Sequence, residues 1–308
     1  MLAGCAILAG DPGALTSPRD AMRSWIIEIS ATVRARSPGF LLVAQNGEEL
    51  IALGDQPDAS LATGYLEALD GLGREDLFFG YAEDDEPTPW EATAWMLSYL
   101  DRAVTEGLCV FTIDYCWSPQ NVRASYDRNA AHGFTAFAAP DRALDVIPTA
   151  DPFPIQRSDA AITRLTEVRN FLYLINPRQY ADTQTFVSAL AAVDVDLLIV
   201  DAESEEEPLT AGDVERLKWK PGGARRLVLC YLSIGEAEDY RDYWDSNWVE
   251  DPPEWLLSEN PAWPGNYTVR YWDPAWQTIV DAQLDRILAA GFDGVYLDCV
   301  DVYERFEN

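Results

Sequence analysis

The stretch from Asp293 to Asp301, which reads DGVYLDCVD, decides the fold predicted for this chain. It follows a helical pattern that closes at Gly291, and it is a short apolar run that ends in carboxylates. In a barrel of alternating strands and helices, side chains at the carboxyl ends of the strands build the active site. The stretch therefore predicts a barrel strand with a functional tip at Asp298 and Asp301.

The residues before this strand alternate between helical and strand-like patterns. In the front half, apolar periodicity predicts helices at about 18–36, 90–106 and 122–132. Short apolar runs predict buried strands between and after them. These strands are Phe40–Gln45, Leu77–Tyr81, Cys109–Tyr115 and Phe134–Ala138.

The back half repeats the alternation after a segment, 140–154, whose four prolines predict a linker or surface crossing. Its predicted helices lie at about 183–193 and 276–290, and an insert rich in Trp, Tyr and Pro runs from Glu236 to Trp272. The predicted strands are Phe171–Ile175, Leu197–Asp201, Leu227–Ser233 and Val295–Leu297. Eight buried strands in alternation with helices predict an α/β fold, a closed (β/α)8 TIM barrel. An open doubly wound sheet is the alternative, but the chain has no GxGxxG or P-loop motif to go with it.

The charge of the chain limits its partners. Its 308 residues carry 52 acids against 22 bases, a net charge of -30, and only Lys218 and Lys220 are lysines. Such an acid-rich, lysine-poor composition is typical of proteins that work in molar salt. The negative field disfavours nucleic acid as a partner and favours a cationic ligand.

The cysteines and the single histidine, His132, exclude several kinds of site. None of the five cysteines has CxxC spacing, and four lie in apolar runs, which predicts buried small side chains rather than disulfides or metal ligands. One histidine excludes histidine-rich metal centres and disfavours a Ser-His-Asp triad. We therefore expect no cofactor and no metal.

The first residues raise the question of export. The stretch from Leu2 to Cys5 resembles a lipoprotein cleavage box, but no basic or long apolar segment precedes it, so the signal peptide is incomplete as written. A start codon assigned too late is the alternative. No apolar run reaches transmembrane length.

Acidic residues follow several predicted strands, and aromatic residues crowd the insert. Converging carboxylates are costly unless they do work. Paired carboxylates beside aromatic rings are the usual equipment for cleaving glycosidic bonds. The acids are Glu48, Glu49, Asp114, Asp201, Glu203, Glu236, Glu238, Asp298 and Asp301. The structural alternative for the rings is that half or more of them belong to the core, although the insert as a whole favours a groove wall.

Long blocks of the sequence resemble glycoside hydrolase family 114, the endo-α-1,4-polygalactosaminidase-like barrels. The block from Leu229 to Trp244, LCYLSIGEAEDYRDYW, and the block from Gly291 to Asp301 resemble the family's first half, as do Phe171–Asn176 and Pro261–Trp276. The front of the chain resembles the family's second half. Its blocks are Gln45–Leu50, Glu75–Gly80 and Ile113–Tyr115.

The resemblance implies an unusual order. The family's first half corresponds to residues 169–308 and its second half to residues 18–148, with a linker at 149–168. A circularly permuted single barrel over residues 1–308 accounts for this order, since barrel termini lie close together on the surface. A piece of a tandem pair is the alternative.

The resemblance also implies an activity and a site: a retaining, endo-acting glycosidase on an α-1,4-linked polymer of galactosamine or N-acetylgalactosamine. Asp298 is the expected nucleophile and Glu48 the expected general acid/base, with about 5–5.5 Å between the carboxyl groups. The roles within this pair stay open. The expected substrate-binding residues are Gln45, Asn46, Asp114, Asp201, Tyr231, Glu236, Arg241, Tyr243, Trp244, Tyr296 and Asp301.

Three further expectations complete this interpretation. The partner is a polysaccharide, cationic where its amines are free, and the chain is expected to be a monomer. An extracellular or cell-surface location is expected from the resemblance. Two other functions stay open: a catalytically silent carbohydrate-binding barrel, and a fragment that folds only with a partner.

Overall fold

Eight parallel strands form the centre of the computed structural model, which describes residues 17–149, 151–203 and 207–307. In chain order, the strands of the described part are β1 (Leu41–Gln45), β2 (Gly71–Glu75), β3 (Cys109–Tyr115), β4 (Thr135–Ala139), β5 (Phe171–Leu174), β6 (Leu197–Asp201), β7 (Leu227–Ser233), β8 (Glu236–Glu238), β9 (Leu256–Glu259), β10 (Asn266–Val269) and β11 (Gly294–Asp298). The parallel sheet has the order β4-β3-β2-β1-β11-β7-β6-β5. Since its two end strands, β4 and β5, also lie against each other, the sheet is a nearly closed barrel and the predicted α/β barrel is confirmed.

Helices cover the outside of this barrel. They are α1 (Pro18–Arg36), α2 (Thr63–Ala68), α3 (Trp90–Thr105), α4 (Pro119–His132), α5 (Thr183–Ala191), α6 (Ala211–Leu217) and α7 (Pro274–Ala290). The short helices α2 and α6 were not predicted, since two turns or fewer give little periodicity. Helix α1 begins where Ser17 accepts a hydrogen bond from the Asp20 amide, and it buries the apolar face that contains Trp25 and Ile29.

Where β4 and β5 meet, no main-chain ladder joins them, and aromatic rings fill the gap. The Phe171 ring lies 5.5 Å from that of Phe111 and 5.8 Å from that of Phe137. Phe153, from the predicted linker, also packs on Phe137 at 5.8 Å. The segment between β4 and β5 is therefore packed against the barrel and takes the place of a covering helix.

The predicted strand Leu77–Tyr81 is wrong. The second barrel strand is β2, which contains two glycines and two charged residues and so lacks an apolar signature. The reason lies inside the barrel: a Cβ atom at Gly73 would lie 1.9 Å from the Tyr296 hydroxyl. The large Tyr296 ring thus requires a glycine on the neighbouring side, and the apolar residues from Leu77 to Phe79 are buried in the loop that follows β2.

The predicted aromatic insert forms a small sheet of its own, in which β10 pairs with β8 and β9 in antiparallel directions. Many of its rings pack on one another. The ring centroids of Trp244 and Tyr267 are 4.9 Å apart, and those of Trp248 and Trp255 are 5.0 Å apart. Of these rings only Trp255 is fully buried, and Tyr240, Trp263 and Trp272 are exposed, so the insert contributes both to packing and to the surface.

Several residues that stand out in the sequence do not lie at the carboxyl ends of the barrel strands. Lys218 and Lys220 are both buried, and Lys220 pairs with Asp196 at 2.5 Å. His132 pairs with Asp101 at 2.7 Å on the outer surface. The box that ends at Cys5 lies outside the described residues. Among the described helices, none is long and apolar enough to cross a bilayer.

Candidate active site

A pocket of about 420 Å³ opens at the carboxyl ends of the barrel strands. Seven of the predicted site residues line it: Gln45, Asn46, Asp201, Tyr231, Glu236, Asp298 and Asp301. Its wall also contains Glu75, Tyr115, Arg142, Tyr173, Glu238, Tyr240, Asn260 and Trp263. The acidic strand tips thus converge in the part of the chain that the structure describes, although they come from both halves of the sequence.

Asp298, the last residue of β11, lies at the floor of this pocket. Burial raises the pKa of Asp298 from its ordinary value of 3.8 to about 8, and the charge of Glu75 adds to the shift. The Cys299 amide donates a hydrogen bond to Asp298 Oδ1 at 2.8 Å, and the Tyr231 hydroxyl also donates to this carboxyl group. Asp298 can therefore hold a proton near neutral pH, while two fixed donors stand ready for its anion.

Glu75, the last residue of β2, is the second carboxylate at the floor. It lines the pocket, and the Tyr115 hydroxyl donates a hydrogen bond to its Oε1. Strand β1 is the neighbour of both β2 and β11, so one strand separates Glu75 from Asp298. Sequence reasoning missed Glu75 because a strand assigned to Leu77–Tyr81 places Glu75 before a strand instead of at a strand tip.

A third pocket carboxyl group belongs to Asp301, in the short 3-10 helix Val300–Phe306. Burial and the charge of Glu304 raise its pKa to about 7, although the guanidinium of Arg74 acts in the opposite direction. At neutral pH this wall of the pocket therefore contains carboxyl groups that exchange protons near the working range.

Glu48 is not among the residues that line the pocket. It lies in the 3-10 helix Glu48–Ile51 that follows β1, and its side chain is 1% exposed. Its Oε2 atom pairs with Arg74 Nη1 at 3.2 Å. A catalytic acid must reach its substrate, so this placement does not support the expected pairing of Glu48 with Asp298.

Opposite this wall, Arg241 ties two strand tips together. Its Nη1 and Nη2 atoms lie 2.9 and 2.7 Å from the two carboxylate oxygens of Asp201. Its Nε atom donates to Glu238 Oε2 at 2.7 Å. Arg241 is buried behind Asp201 and Glu238, which both line the pocket, so it holds the wall rather than facing the ligand.

Arg142 contributes a positive charge to the pocket rim. It lies 2.7 Å from Asp76 Oδ1 and 2.6 Å from Asp84 Oδ1, and its guanidinium lies over the Tyr115 ring at 4.1 Å. Burial raises the pKa of Asp76 to about 6, which the Arg142 hydrogen bond offsets in part. Arg142 therefore joins the loop after β2 to the segment after β4.

Four other predicted site residues do not line the pocket. Asp114 points away from the barrel interior, because neighbouring Tyr115 points inward and side chains alternate along a strand. Its carboxylate accepts hydrogen bonds from the amides of Phe78 and Phe79 and from two side chains of α4. Tyr296 fills the barrel interior, and Tyr243 and Trp244 belong to the ring cluster of the insert.

The described residues do not offer a metal centre. No group of three or more His, Cys, Asp or Glu side chains among them could hold a metal ion. The chemistry that the described pocket supports is carboxylate chemistry.

The sequence of nearly half of the chain, the half that contains most of these strand-tip acids, matches a known family. Residues 159–308 match glycoside-hydrolase family GH114. The resemblance of this half to family GH114 is thereby confirmed, and the matched part includes Asp201, Glu236, Asp298 and Asp301.

Curated relatives of the chain cover a similar share of it. An uncharacterized protein of Deinococcus radiodurans is 45% identical over 126 residues, which are 41% of this chain and 39% of the relative. An uncharacterized protein of Methanocaldococcus jannaschii is 42% identical over 121 residues, 38% of this chain and 34% of the relative. The chain thus spans well under half the length of these relatives.

Solved structures give a weaker likeness. The crystal structure of Aspergillus fumigatus Ega3 in complex with galactosamine has a TM-score of 0.32 and 23% identity, and covers 44% of this chain and 45% of that one. The glycoside hydrolase domain of PelA from Pseudomonas aeruginosa has a TM-score of 0.30 and 21% identity over the same shares. The pairing of this chain's own strands establishes the barrel.

Proposed function

We propose that this protein is a glycoside hydrolase whose catalytic pair is Asp298 and Glu75. The observation that carries the proposal is the position of the two carboxylates. They lie at strand tips on either side of β1, both line the pocket, and the charge of Glu75 acts on Asp298. A pair of interacting carboxyl groups in one pocket supplies both functions that glycoside cleavage needs.

In this mechanism, the Asp298 carboxylate attacks the anomeric carbon while the glycosidic C–O bond breaks. Glu75 gives its proton to the leaving oxygen. Glu75 then takes a proton from water, the water oxygen attacks the anomeric carbon, and the bond to Asp298 breaks, so that Asp298 and Glu75 return to their starting states. The expected spacing of about 5–5.5 Å for a retaining pair stays a prediction and now concerns Asp298 and Glu75.

In the proposed mechanism, one proton serves both carboxyl groups of this pair. The charge of Glu75 contributes to the raised pKa of Asp298, so a proton on Glu75 removes that contribution. The Cys299 amide and the Tyr231 hydroxyl then favour the Asp298 anion. The proposed mechanism requires that Glu75 carry the proton when the sugar is bound, so that Asp298 is ionised for attack.

For the substrate we propose an α-1,4-linked polymer that contains galactosamine, cut within the chain. The support is the charge of the pocket wall, which Asp201, Glu236 and Glu238 line together with Arg142 and Arg305; Arg305 Nη2 lies 3.7 Å from Glu236 Oε1. Carboxylates accept hydrogen bonds from sugar hydroxyls and also attract free amines. Two exposed rings of the wall, Trp263 and Tyr240, offer faces on which sugar rings can stack.

We further propose that the two halves of the family barrel occur here in exchanged order. The family match is confined to residues 159–308, and the two halves of the chain join in space where β11 pairs with β1 in parallel. A rearranged gene that encodes 150–308 before 17–149, joined by a flexible linker, keeps the packed Phe153 segment and should give a protein with the same circular dichroism and activity. An unfolded product would contradict the exchange.

The test of the proposed function is hydrolysis of partly deacetylated α-1,4-galactosamine polymer in molar salt. Asp298→Asn and Glu75→Gln should each lower kcat by at least about 10²-fold with the fold retained. Glu67→Gln, a matched change on the exposed face of α2, is the control and should leave kcat unchanged. Full activity in either pocket variant refutes the catalytic pair. No hydrolysis by a folded wild-type protein refutes the proposed substrate, and binding of the polymer without hydrolysis would indicate a silent carbohydrate-binding barrel.

A further inference from the structure

Glu48 and Arg74 form a largely buried ion pair beside the pocket. Arg74 Nη1 lies 3.2 Å from Glu48 Oε2, and the two side chains are 18% and 1% exposed. Among the described residues, Glu48 Oε1 and Arg74 Nε find no hydrogen-bond partner. Burying these two charged groups costs free energy, and this single contact offsets the cost poorly. The pair is therefore not explained by its contribution to stability.

The backbone around the pair is built to hold it against the pocket. Arg74 directly precedes Glu75 in β2, so any shift of Arg74 moves a pocket carboxylate. Gly47, with φ of +60°, packs on the helix that contains Asp301: a Cβ atom there would lie 3.3 Å from the Tyr303 ring and 3.5 Å from the Asp301 amide. Glu48 is therefore clamped between the strand that ends in Glu75 and the helix that begins beside Asp301.

We propose that Glu48 and Arg74 are positioning residues that hold one fixed positive charge, partly neutralised, behind the pocket carboxylates Glu75 and Asp301. This inference rests on the proposed function, because it assigns the pair a role in tuning the acids of that site. Glu48, which the sequence suggested as the acid/base, acts in this view through Arg74 and never touches the sugar.

The charge of Arg74 determines in which direction it shifts the pKa of neighbouring carboxyl groups. The guanidinium lowers the pKa of Asp301 and of Glu304, while nearby carboxylates act on the same groups with the opposite sign. Burial would lower the pKa of Arg74, but the charges of Glu48 and Asp301 raise it, so Arg74 stays charged. The charged groups that surround this corner are Glu48, Glu49, Arg74, Glu75, Asp298, Asp301, Glu304, Arg305 and Arg19.

Two substitutions separate this electrostatic role from a structural one, because they act in opposite directions. Arg74→Met removes the positive charge, so the pKa of Asp301 should rise by about half a unit or more. Burial raises the pKa of Glu48, and the charge of Arg74 lowers it. Glu48→Gln keeps the shape and removes the ionised partner of Arg74, so Arg74 acts on Asp301 more strongly and the pKa of Asp301 should fall by a similar amount. A purely structural role predicts lost stability in both variants and no shifts of opposite sign.

The pKa of Asp301 can be followed without any activity, by titrating ¹³C-labelled aspartate carboxyl groups in the full chain, with Asp301→Asn to assign the signal. In parallel, the acid limb of the kcat/KM profile should move to higher pH in Arg74→Met and to lower pH in Glu48→Gln. Arg74→Lys, which keeps the charge, should shift both measurements less than Arg74→Met. If Arg74→Met fails to fold, Glu48→Gln against Glu48→Asp, which keeps the negative charge, tests the same sign.

Each result decides something definite. Opposite shifts in the titration support the inference, even if the wild-type protein proves inactive and the proposed function falls. Shifts that are absent, or of the same sign in both variants, overturn the inference, and loss of activity in Asp298→Asn and Glu75→Gln would then leave the proposed function standing. A loss of kcat in Glu48→Gln as large as that in Glu75→Gln, with an unmoved acid limb, would return Glu48 to a direct catalytic role.

Discussion

Replacing Asp298 by Asn should remove activity and, at neutral pH, make the protein more stable. The folded protein binds a proton at Asp298 up to a pKa of about 8, whereas the ordinary value is 3.8. Between these two values the folded state holds more protons than the unfolded state, so stability falls as pH rises through this window. Asparagine cannot ionise and escapes that loss.

The magnitude follows from the same shift. Each pH unit within the window lowers the free energy of unfolding of the wild-type protein by up to about 1.4 kcal/mol, so the total decrease approaches about 4 kcal/mol at pH 7. Asparagine also weakens the hydrogen bonds from the Cys299 amide and the Tyr231 hydroxyl, by about 1 kcal/mol each at any pH. That cost cancels when two pH values are compared, and the stability difference between variant and wild type should therefore grow by about 1–3 kcal/mol from pH 5 to pH 7.

Urea unfolding of both proteins at the two pH values, in the same molar salt, measures this difference. Asp127→Asn, a matched change on the exposed face of α4, should show nearly the same stability difference from wild type at both pH values. A difference for Asp298→Asn that is equal at pH 5 and pH 7 would refute the reasoning, because it would mean that Asp298 is not buried with its proton in the folded state.

Further predictions concern the barrel interior and the pocket wall. Gly73→Ala should destabilise the protein by about 3 kcal/mol or more in urea unfolding, because the new Cβ meets the Tyr296 hydroxyl at 1.9 Å, whereas Gly64→Ala, whose Cβ would lie 3.5 Å from its nearest neighbour, should be tolerated. Equal stability of the two alanine variants would contradict the packing argument. Arg241→Lys keeps the charge but loses the paired contact with the Asp201 carboxylate of the pocket wall, so KM should rise about tenfold with little change in kcat. An unchanged KM would show that the wall does not depend on this paired contact. Lys220→Met removes the ammonium group that pairs with the buried Asp196 carboxylate and should cost about 3–5 kcal/mol in urea unfolding; an unchanged stability would count against the charge pair.

The alternation of helices and strands could be predicted from the sequence because most barrel strands carry a strong local signal. Strand β3 and helix α1 were placed with the bounds that the structure has, and β6 and β7 likewise. The prediction of strand β2 failed for a physical reason: four of its five residues are glycine or charged, and Gly73 is needed there because Tyr296 from β11 occupies the space beside it. No local pattern contains that information.

The acids of the site divide in the same way. Asp298 and Asp201 end apolar strands, so their sequence neighbours alone place them at strand tips, and the sequence by itself determined the barrel, its excess of acid and this half of the pocket. Glu75 became visible as a pocket residue only when the tertiary structure placed β2 correctly, and Glu48 proved to be buried against Arg74 although its sequence block pointed to the site. The choice between a pocket carboxylate and a buried partner depends on strand register and on contacts between distant residues. Those are properties of the closed barrel, and only the tertiary structure decides them.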